Sequence, residues 1–236
     1  MKTRVNVFVA AAILACLIPA AAFALTQYAE DFDGLNAADT NALGNAGWLV
    51  FANVFGPDMT YWYGYGVFPA PNDGAAFSSI GVDGANQFLN VFNDYNNLNH
   101  GDGTNAIIES NVFQEQTIVA ADVGQTWVFG FDAMMNNVEG ASTAAAFIKT
   151  LNPAAGYATT NFITADMTSI PASWGSYTLQ IVIDASLVGQ LLQIGFTNNA
   201  SNYEGSGVFY DNVTFSIDGA IPADPATWGE FKALFR

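Results

Sequence analysis

An aspartate interrupts an apolar, strand-like run near the end of the chain. Side chains along a strand alternate between its two faces, so Phe209, Asp211, Val213 and Phe215 are predicted to share one side. That side is otherwise apolar, which predicts that it faces the core. A buried carboxylate needs a cation or several hydrogen-bond donors. We therefore predict a calcium ion at Asp211, because Ca²⁺ prefers oxygen ligands. The alternative is a carboxylate at a strand end or bulge that accepts backbone N–H bonds.

A second group of carboxylates lies near the start of the mature chain. Glu30, Asp31 and Asp33 fall within four positions. One carboxylate alone rarely holds Ca²⁺, so we expect Glu30 and Asp33 to join Asp211 around the ion. The alternative is a solvated acidic edge, which is the usual role of such a run.

Segment 55–72 concentrates aromatic residues between glycines and prolines. The spacing of Gly and Pro is too dense for a regular element and predicts a loop. Tyr61, Trp62, Tyr63 and Tyr65 are predicted to form a carbohydrate-binding platform, because aromatic rings stack on apolar faces and Tyr adds a hydroxyl donor. The alternative is that this loop covers one end of the domain and buries its rings there.

The chain offers little for catalysis. His100 is the only histidine and lies in a Gly/Asn-rich loop, which predicts an exposed turn residue. Glu109, Glu115 and Glu139 supply carboxylates for acid–base chemistry in principle. However, the sequence contains no nucleophile-elbow serine and no tight Glu-x-Asp-x-x-Glu strand. We therefore predict that the protein is not an enzyme.

The first 24 residues predict a secretory signal peptide. Lys2 and Arg4 precede an apolar run, and Ala-Phe-Ala at 22–24 is a cleavage site. The protein is therefore predicted to be extracellular or periplasmic. The only cysteine, Cys16, lies in a loose lipobox within this leader, so a lipoprotein is the alternative. Cleavage after residue 24 leaves a chain without cysteine, whose stability owes nothing to disulfides.

The mature chain is strongly acidic. Removing the leader leaves 3 basic residues against 21 acidic ones, a formal net charge of −18. Such a charge repels nucleic acid, anionic membranes and polyanionic substrates, and favours neutral ligands and cations. No segment after the leader is long and apolar enough to insert into a membrane.

Short strand-like runs separated by turn signals predict an all-β fold. The run 126–135, for example, places Trp127, Phe129 and Phe131 on one face. Such runs at short intervals predict one antiparallel β-sandwich or barrel over residues 25–220. Residues 221–236 differ in composition and predict a short helical tail, which either packs on the sandwich or attaches the protein to the cell surface.

Four short stretches resemble the jelly-roll carbohydrate-binding modules of the galactose-binding-like group. Together they are spread over most of residues 27–218: EDFD at 30–33, GQTWVFGF at 124–131, WGSYTLQI at 174–181 and GVFYDNV at 207–213. In that group a structural Ca²⁺ often joins an acidic residue after the first-strand Phe to the Asp of the closing strand. The resemblance therefore implies Asp33 and Asp211 as ligands, whereas the aromatic segment is not part of it.

The predicted function is a secreted, non-catalytic module that binds a neutral polysaccharide or glycan and contains a structural calcium site. The main alternative is a structural or adhesive cell-surface protein whose aromatic residues belong to the core. A jelly-roll glycoside hydrolase or lyase is the third possibility.

Overall fold

The computed structural model describes residues 24–66, 78–83 and 86–219. All but the last residue of the predicted signal peptide, including Cys16, and the predicted tail at 221–236 lie outside the described residues. No helix among the described residues is long and apolar enough to cross a membrane.

The described residues form twelve strands and a few helical turns. The strands are β1 (Tyr28–Glu30), β2 (Leu49–Phe55), β3 (Tyr61–Tyr65), β4 (Ser78–Asp83), β5 (Asn86–Val91), β6 (Ile107–Thr117), β7 (Thr126–Val138), β8 (Thr143–Asn152), β9 (Ala158–Asp166), β10 (Gly175–Val182), β11 (Leu191–Ala200) and β12 (Ser206–Ile217). The α-helix α1 (Ala42–Asn45) is one turn long, and 3₁₀ turns lie at Ala120–Asp122, Pro153–Ala155 and Ala185–Leu187.

The strands form two antiparallel sheets. The front sheet has the order β3-β2-β6-β11-β8-β9, and the back sheet has the order β10-β7-β12-β5-β4. Strand β1 pairs with the part of β12 that β5 leaves free. From β5 to β8, and again from β9 to β12, each strand crosses to the opposite sheet, which is the connectivity typical of a jelly roll. The prediction of an all-β antiparallel sandwich is confirmed.

Aromatic residues fill the space between the sheets. Trp127, Phe129 and Phe131 of β7 are buried on one face, as the alternation predicts. From the front sheet, Phe196 of β11 lies with its ring centroid 3.6 Å from that of Tyr210 in the back sheet. Its ring also lies 5.6 Å from Phe129 and 5.3 Å from Phe131. This cluster connects the two sheets at the centre of the core.

The closing strand β12 contains a bulge that reverses its two faces. Tyr210 is fully buried, and the next buried residues are Val213 and then Phe215, so one step of the alternation is three residues long. Asn212 lies in this bulge, with φ of 48°. The prediction that Asp211 faces the core is therefore wrong, because strict alternation fails at the bulge. Asp211 lies half-buried on the outer face of the back sheet.

Two local predictions differ from the structure. Tyr61–Tyr65 is not loop but the edge strand β3, which pairs with β2 despite its glycine. His100 is not exposed but 1% accessible, because its loop folds against residues 201–205. The His100 ring contacts Tyr95 and Tyr203, and its Nε2 donates a hydrogen bond to the Asn202 carbonyl. Burial lowers the pKa of His100, so the buried ring favours its neutral form.

Candidate functional site

A groove of about 780 Å³ crosses the outer face of the front sheet. Residues from six strands and one hairpin line it: Phe51, Asn53, Tyr61, Asn111, Phe113, Glu115, Lys149, Leu151, Gly156, Tyr157, Thr159, Leu191 and Gln193. The outer face of an antiparallel sheet is commonly polar and solvated. Aromatic rings in such a position therefore call for a functional explanation.

The alternation of β2 places Phe51 in the groove. Val50 and Ala52 are buried in the core, so Phe51 between them points outward and is 40% exposed. Its ring lies over Gly64 of β3, where an added Cβ would come within 2.8 Å of two ring carbons and of the Tyr61 hydroxyl. Glycine at position 64 is therefore what allows Phe51 and Tyr61 to lie side by side.

Two exposed tyrosines mark the ends of the groove. Tyr61 on β3 is 56% exposed, and Tyr157 in the β8–β9 hairpin is 61% exposed. From β3 to β8 the sheet spans four strand spacings, or about 19 Å. The groove is therefore long enough for a chain of several sugar rings.

Tyr157 is held in a backbone conformation that bulky residues rarely adopt. Its φ is 63°, directly after Gly156 with φ of 66°. The Tyr157 N–H donates a 2.9 Å hydrogen bond to the Asn152 carbonyl, which closes the hairpin around this conformation. Left-handed backbone at a non-glycine residue costs about 1–3 kcal/mol and concentrates at functional sites.

The floor of the groove is polar and internally bonded. Asn53 and Asn111 each donate a side-chain hydrogen bond to Glu109 Oε1, at 2.8 and 2.9 Å. Gln193 Nε2 donates to Glu115 Oε2 at 2.7 Å. Asn111 is 3% exposed, and its Oδ1 is buried without a hydrogen-bond partner among the described residues. Buried polar atoms of this kind are usually satisfied by another protein group or by an ordered water.

Lys149 lines the groove from β8. Its Nζ lies 4.8 Å from the centroid of the Phe147 ring and 5.3 Å from that of Phe162. Burial lowers the pKa of Lys149, and the charge of Glu109 opposes this shift. The Lys149 side chain is half-buried in the candidate site.

The carboxylates of the groove do not suit glycosidase chemistry. Glu109 and Glu115 share the outer face of β6 but are six residues apart along one strand, which separates their Cα atoms by about 20 Å. Paired glycosidase carboxylates are about 5 to 10 Å apart. Glu139 follows the end of β7 and does not line the groove.

The four aromatic residues predicted to bind carbohydrate divide into two pairs. Tyr61 lines the groove, and Trp62 is 43% exposed outside the lining. Tyr63 and Tyr65 instead contact a hydrophobic cluster on the inner side of the front sheet. The Tyr63 hydroxyl donates to Asn99 Oδ1 at 2.8 Å, and the Tyr65 hydroxyl donates to Asp94 Oδ2 at 2.5 Å. A sugar-binding role for these four residues stays a prediction.

The three predicted calcium ligands lie near the contact of β1 with β12. The pKa of Asp211 is raised to about 6 by burial and by the negative charges of Asp33, Asp132 and Asp31, against the N–H bond from Asn212. Asp33 Oδ1 accepts the Gln87 N–H at 2.7 Å.

Glu30 is not among the charges that act on Asp211, and its Oε1 accepts the Phe32 N–H at 2.8 Å. Within the described ranges, no three His, Cys, Asp or Glu side chains are arranged to hold a metal ion. The structure thus brings Asp33 and Asp211 into one acidic patch, and calcium stays a prediction.

The sequence interpretation missed Phe51, Asn111, Tyr157 and Gln193. These residues lie on strands and a hairpin that are far apart along the chain and meet only through sheet pairing. The sequence signal that could have revealed them is an aromatic residue at a strand position where the alternation predicts an outward-facing, polar side chain. Phe51 shows it, since it alternates with buried Val50 and Ala52.

No protein-family model matches the chain, and no curated protein matches it. Similar solved structures are mostly carbohydrate-binding modules with a β-sandwich fold. The CBM22-1 xylan-binding domain of Xyn10C from Paenibacillus barcinonensis is 12% identical, with 85% of this chain and 100% of that chain covered and a TM-score of 0.43. TmCBM61, solved with β-1,4-galactotriose, is 11% identical, with 78% and 99% covered and a TM-score of 0.37.

An enzyme domain is also similar. The enzymatically active domain of tailspike protein 4 from bacteriophage CBA120 is 13% identical over 78% of this chain, with a TM-score of 0.45. This chain spans 21% of that domain's length. At these identities and TM-scores the similarities carry no functional argument.

Proposed function

We propose that this protein is an exported, non-catalytic module that binds a neutral polysaccharide along the groove of the front sheet. The observation that carries the proposal is the combination of exposed rings at Phe51, Tyr61 and Tyr157 with a buried polar floor. Export is expected from the predicted leader at 1–24.

The chemistry of the lining favours a sugar chain. Aromatic faces stack on the apolar C–H faces of sugar rings, and amides and carboxylates hydrogen-bond their hydroxyls. The floor supplies Asn53, Gln193 and Glu115 as polar groups that line the groove. The predominance of carboxylates in the mature chain argues against a polyanion as the ligand.

A pair of neighbouring residues in β3 provides the test. Tyr61 lines the groove and Trp62 does not, although both are exposed. Tyr61→Ala is expected to weaken binding about tenfold, as the loss of one stacking contact, while Trp62→Ala leaves it nearly unchanged. Affinity electrophoresis and calorimetry with a panel of neutral polysaccharides would measure both. If the wild-type protein binds none of the panel, the proposal is wrong, and if only Trp62→Ala weakens binding, the site lies outside the groove.

We also propose that a structural calcium ion neutralises the acidic patch around Asp33 and Asp211, with Glu30 as the third ligand predicted from the sequence. The support is that burial, together with the charges of the neighbouring carboxylates, raises the pKa of Asp211. Carboxylate oxygens are the donors that Ca²⁺ prefers. Calcium is expected to raise the melting temperature, because a ligand that binds only the folded state stabilises it. An unchanged melting temperature, with no metal by elemental analysis, would contradict this proposal.

The variant Asp211→Asn separates charge from metal binding. In EDTA at pH 7 it is expected to be more stable than the wild type, because it removes a charge that burial and the neighbouring carboxylates disfavour. The folded-state pKa of Asp211, about 6, lies above the ordinary 3.8, so folding favours its protonation. Wild-type stability should therefore rise as the pH falls from about 6 towards 4, and the difference between the proteins should shrink. With calcium present, the order should reverse at pH 7.

A further inference from the structure

Lys149 is the only lysine or arginine in the described part of the chain. Its ammonium group lies over the Phe147 and Phe162 rings, and cation–π contacts hold it in place without using its N–H donors. Among the described residues, no carboxylate lies within ion-pair distance of Nζ and no acceptor takes a hydrogen bond from it. Three donors are therefore free in a groove that we propose binds a glycan.

The carboxylates on β6 define where a negative charge fits. Phe147 is level with Phe113 of β6, across Gly195 of β11. On the same outer face of β6, Glu115 follows Phe113 by two residues and Glu109 precedes it by four. Lys149 itself is level with Glu115, across Gln193 of β11, but its Nζ lies over the Phe147 ring. A ligand anion would be attracted at Nζ and repelled towards Glu115 in one direction along β6 and towards Glu109 in the other.

We propose that the groove prefers a neutral glycan that carries isolated carboxylate substituents, and that Lys149 binds one such carboxylate. This inference rests on the proposed function and narrows its ligand class. Burial disfavours the charged ammonium and the charge of Glu109 only partly offsets this, whereas a ligand carboxylate would stabilise the ammonium directly through charge-assisted hydrogen bonds. A neutral hydroxyl supplies an acceptor but no charge. A carboxylate on every sugar would place further charges against Glu109 and Glu115.

The test uses one polysaccharide in three forms. The hexose-based neutral polysaccharide that binds best to the wild-type protein is compared with itself after sparse and after complete oxidation of its primary alcohols to carboxylates. The sparsely oxidised form is expected to bind about tenfold more tightly, the effect of one charge-assisted hydrogen bond. This gain should weaken with added salt. The fully oxidised form should bind less well than the sparse one.

Two variants assign the effect to Lys149. Lys149→Gln keeps amide donors without the charge, and it should bind the neutral and sparsely oxidised forms equally. Lys149→Arg keeps the charge and should preserve the preference. Equal binding of both forms by the wild type would overturn the inference and leave the proposed function standing. Tightest binding of the fully oxidised form would overturn the requirement for isolated charges, and binding to no form would remove both proposals.

Discussion

A Phe196→Ala variant is expected to lose about 4 kcal/mol of its free energy of unfolding. The Phe196 ring is fully buried and contacts Tyr210 of the back sheet and Trp48, which directly precedes β2, at centroid distances of 3.6 and 6.2 Å. Removing it leaves a cavity that neighbouring strands cannot close, because their hydrogen-bonded register fixes their spacing. Urea unfolding followed by tryptophan fluorescence and by circular dichroism would measure the loss.

Phe162→Ala is the matched control for this substitution. Phe162 lies on the outer face of the front sheet, is 52% exposed and contacts Phe147 at a centroid distance of 5.9 Å. It should lose only about 1 kcal/mol, since most of its ring is already in water. A loss in Phe196→Ala no larger than in Phe162→Ala would show that the core relaxes around residue 196.

Local patterns predicted the strands well, because the alternation of apolar and polar residues within each strand reflects which of its side chains are buried. The alternation at Trp127, Phe129 and Phe131 holds in the structure, since β7 is regular over that stretch. The same rule failed at Asp211, where a bulge adds one residue without any glycine or proline to mark it. Alternation therefore predicts which face of a sheet a side chain lies on only within regular stretches of strand. One bulge that the sequence does not mark places Asp211, on which the calcium prediction depended, on the outer face of the back sheet.

The groove could not be predicted in the same way, because no single segment contains it. Phe51 lies beside Asn111, and Asn111 lies beside Thr197, through pairings of β2 with β6 and of β6 with β11 whose partners are 60 and 86 positions apart in sequence. These pairings follow from the global strand order, which local propensity does not determine. From the sequence, the aromatic segment at 61–65 could be recognised only by its composition. The difference between exposed Tyr61 and half-buried Tyr63 and Tyr65 arises because these residues form the edge strand β3.

Tyr157→Asn is expected to stabilise the protein while weakening glycan binding. Tyrosine at φ of 63° is strained, whereas asparagine tolerates this region better. The ring is 61% exposed, so little burial is lost. The free energy of unfolding should therefore rise by about 1 kcal/mol, which corresponds to roughly 3 °C in melting temperature for a domain of this size. Affinity for the polysaccharide should fall about tenfold with the stacking contact.

Tyr157→Phe is the control that separates the ring from the backbone. It keeps both the ring and the strain, so its melting temperature and affinity should stay close to those of the wild type. Scanning calorimetry and titration calorimetry on the three proteins would measure both quantities. A destabilised Tyr157→Asn variant would mean that the ring supports the hairpin, and wild-type affinity in that variant would remove Tyr157 from the site. A rise in the free energy of unfolding together with a fall in affinity is the result expected of a residue that is strained in order to present its ring to a ligand.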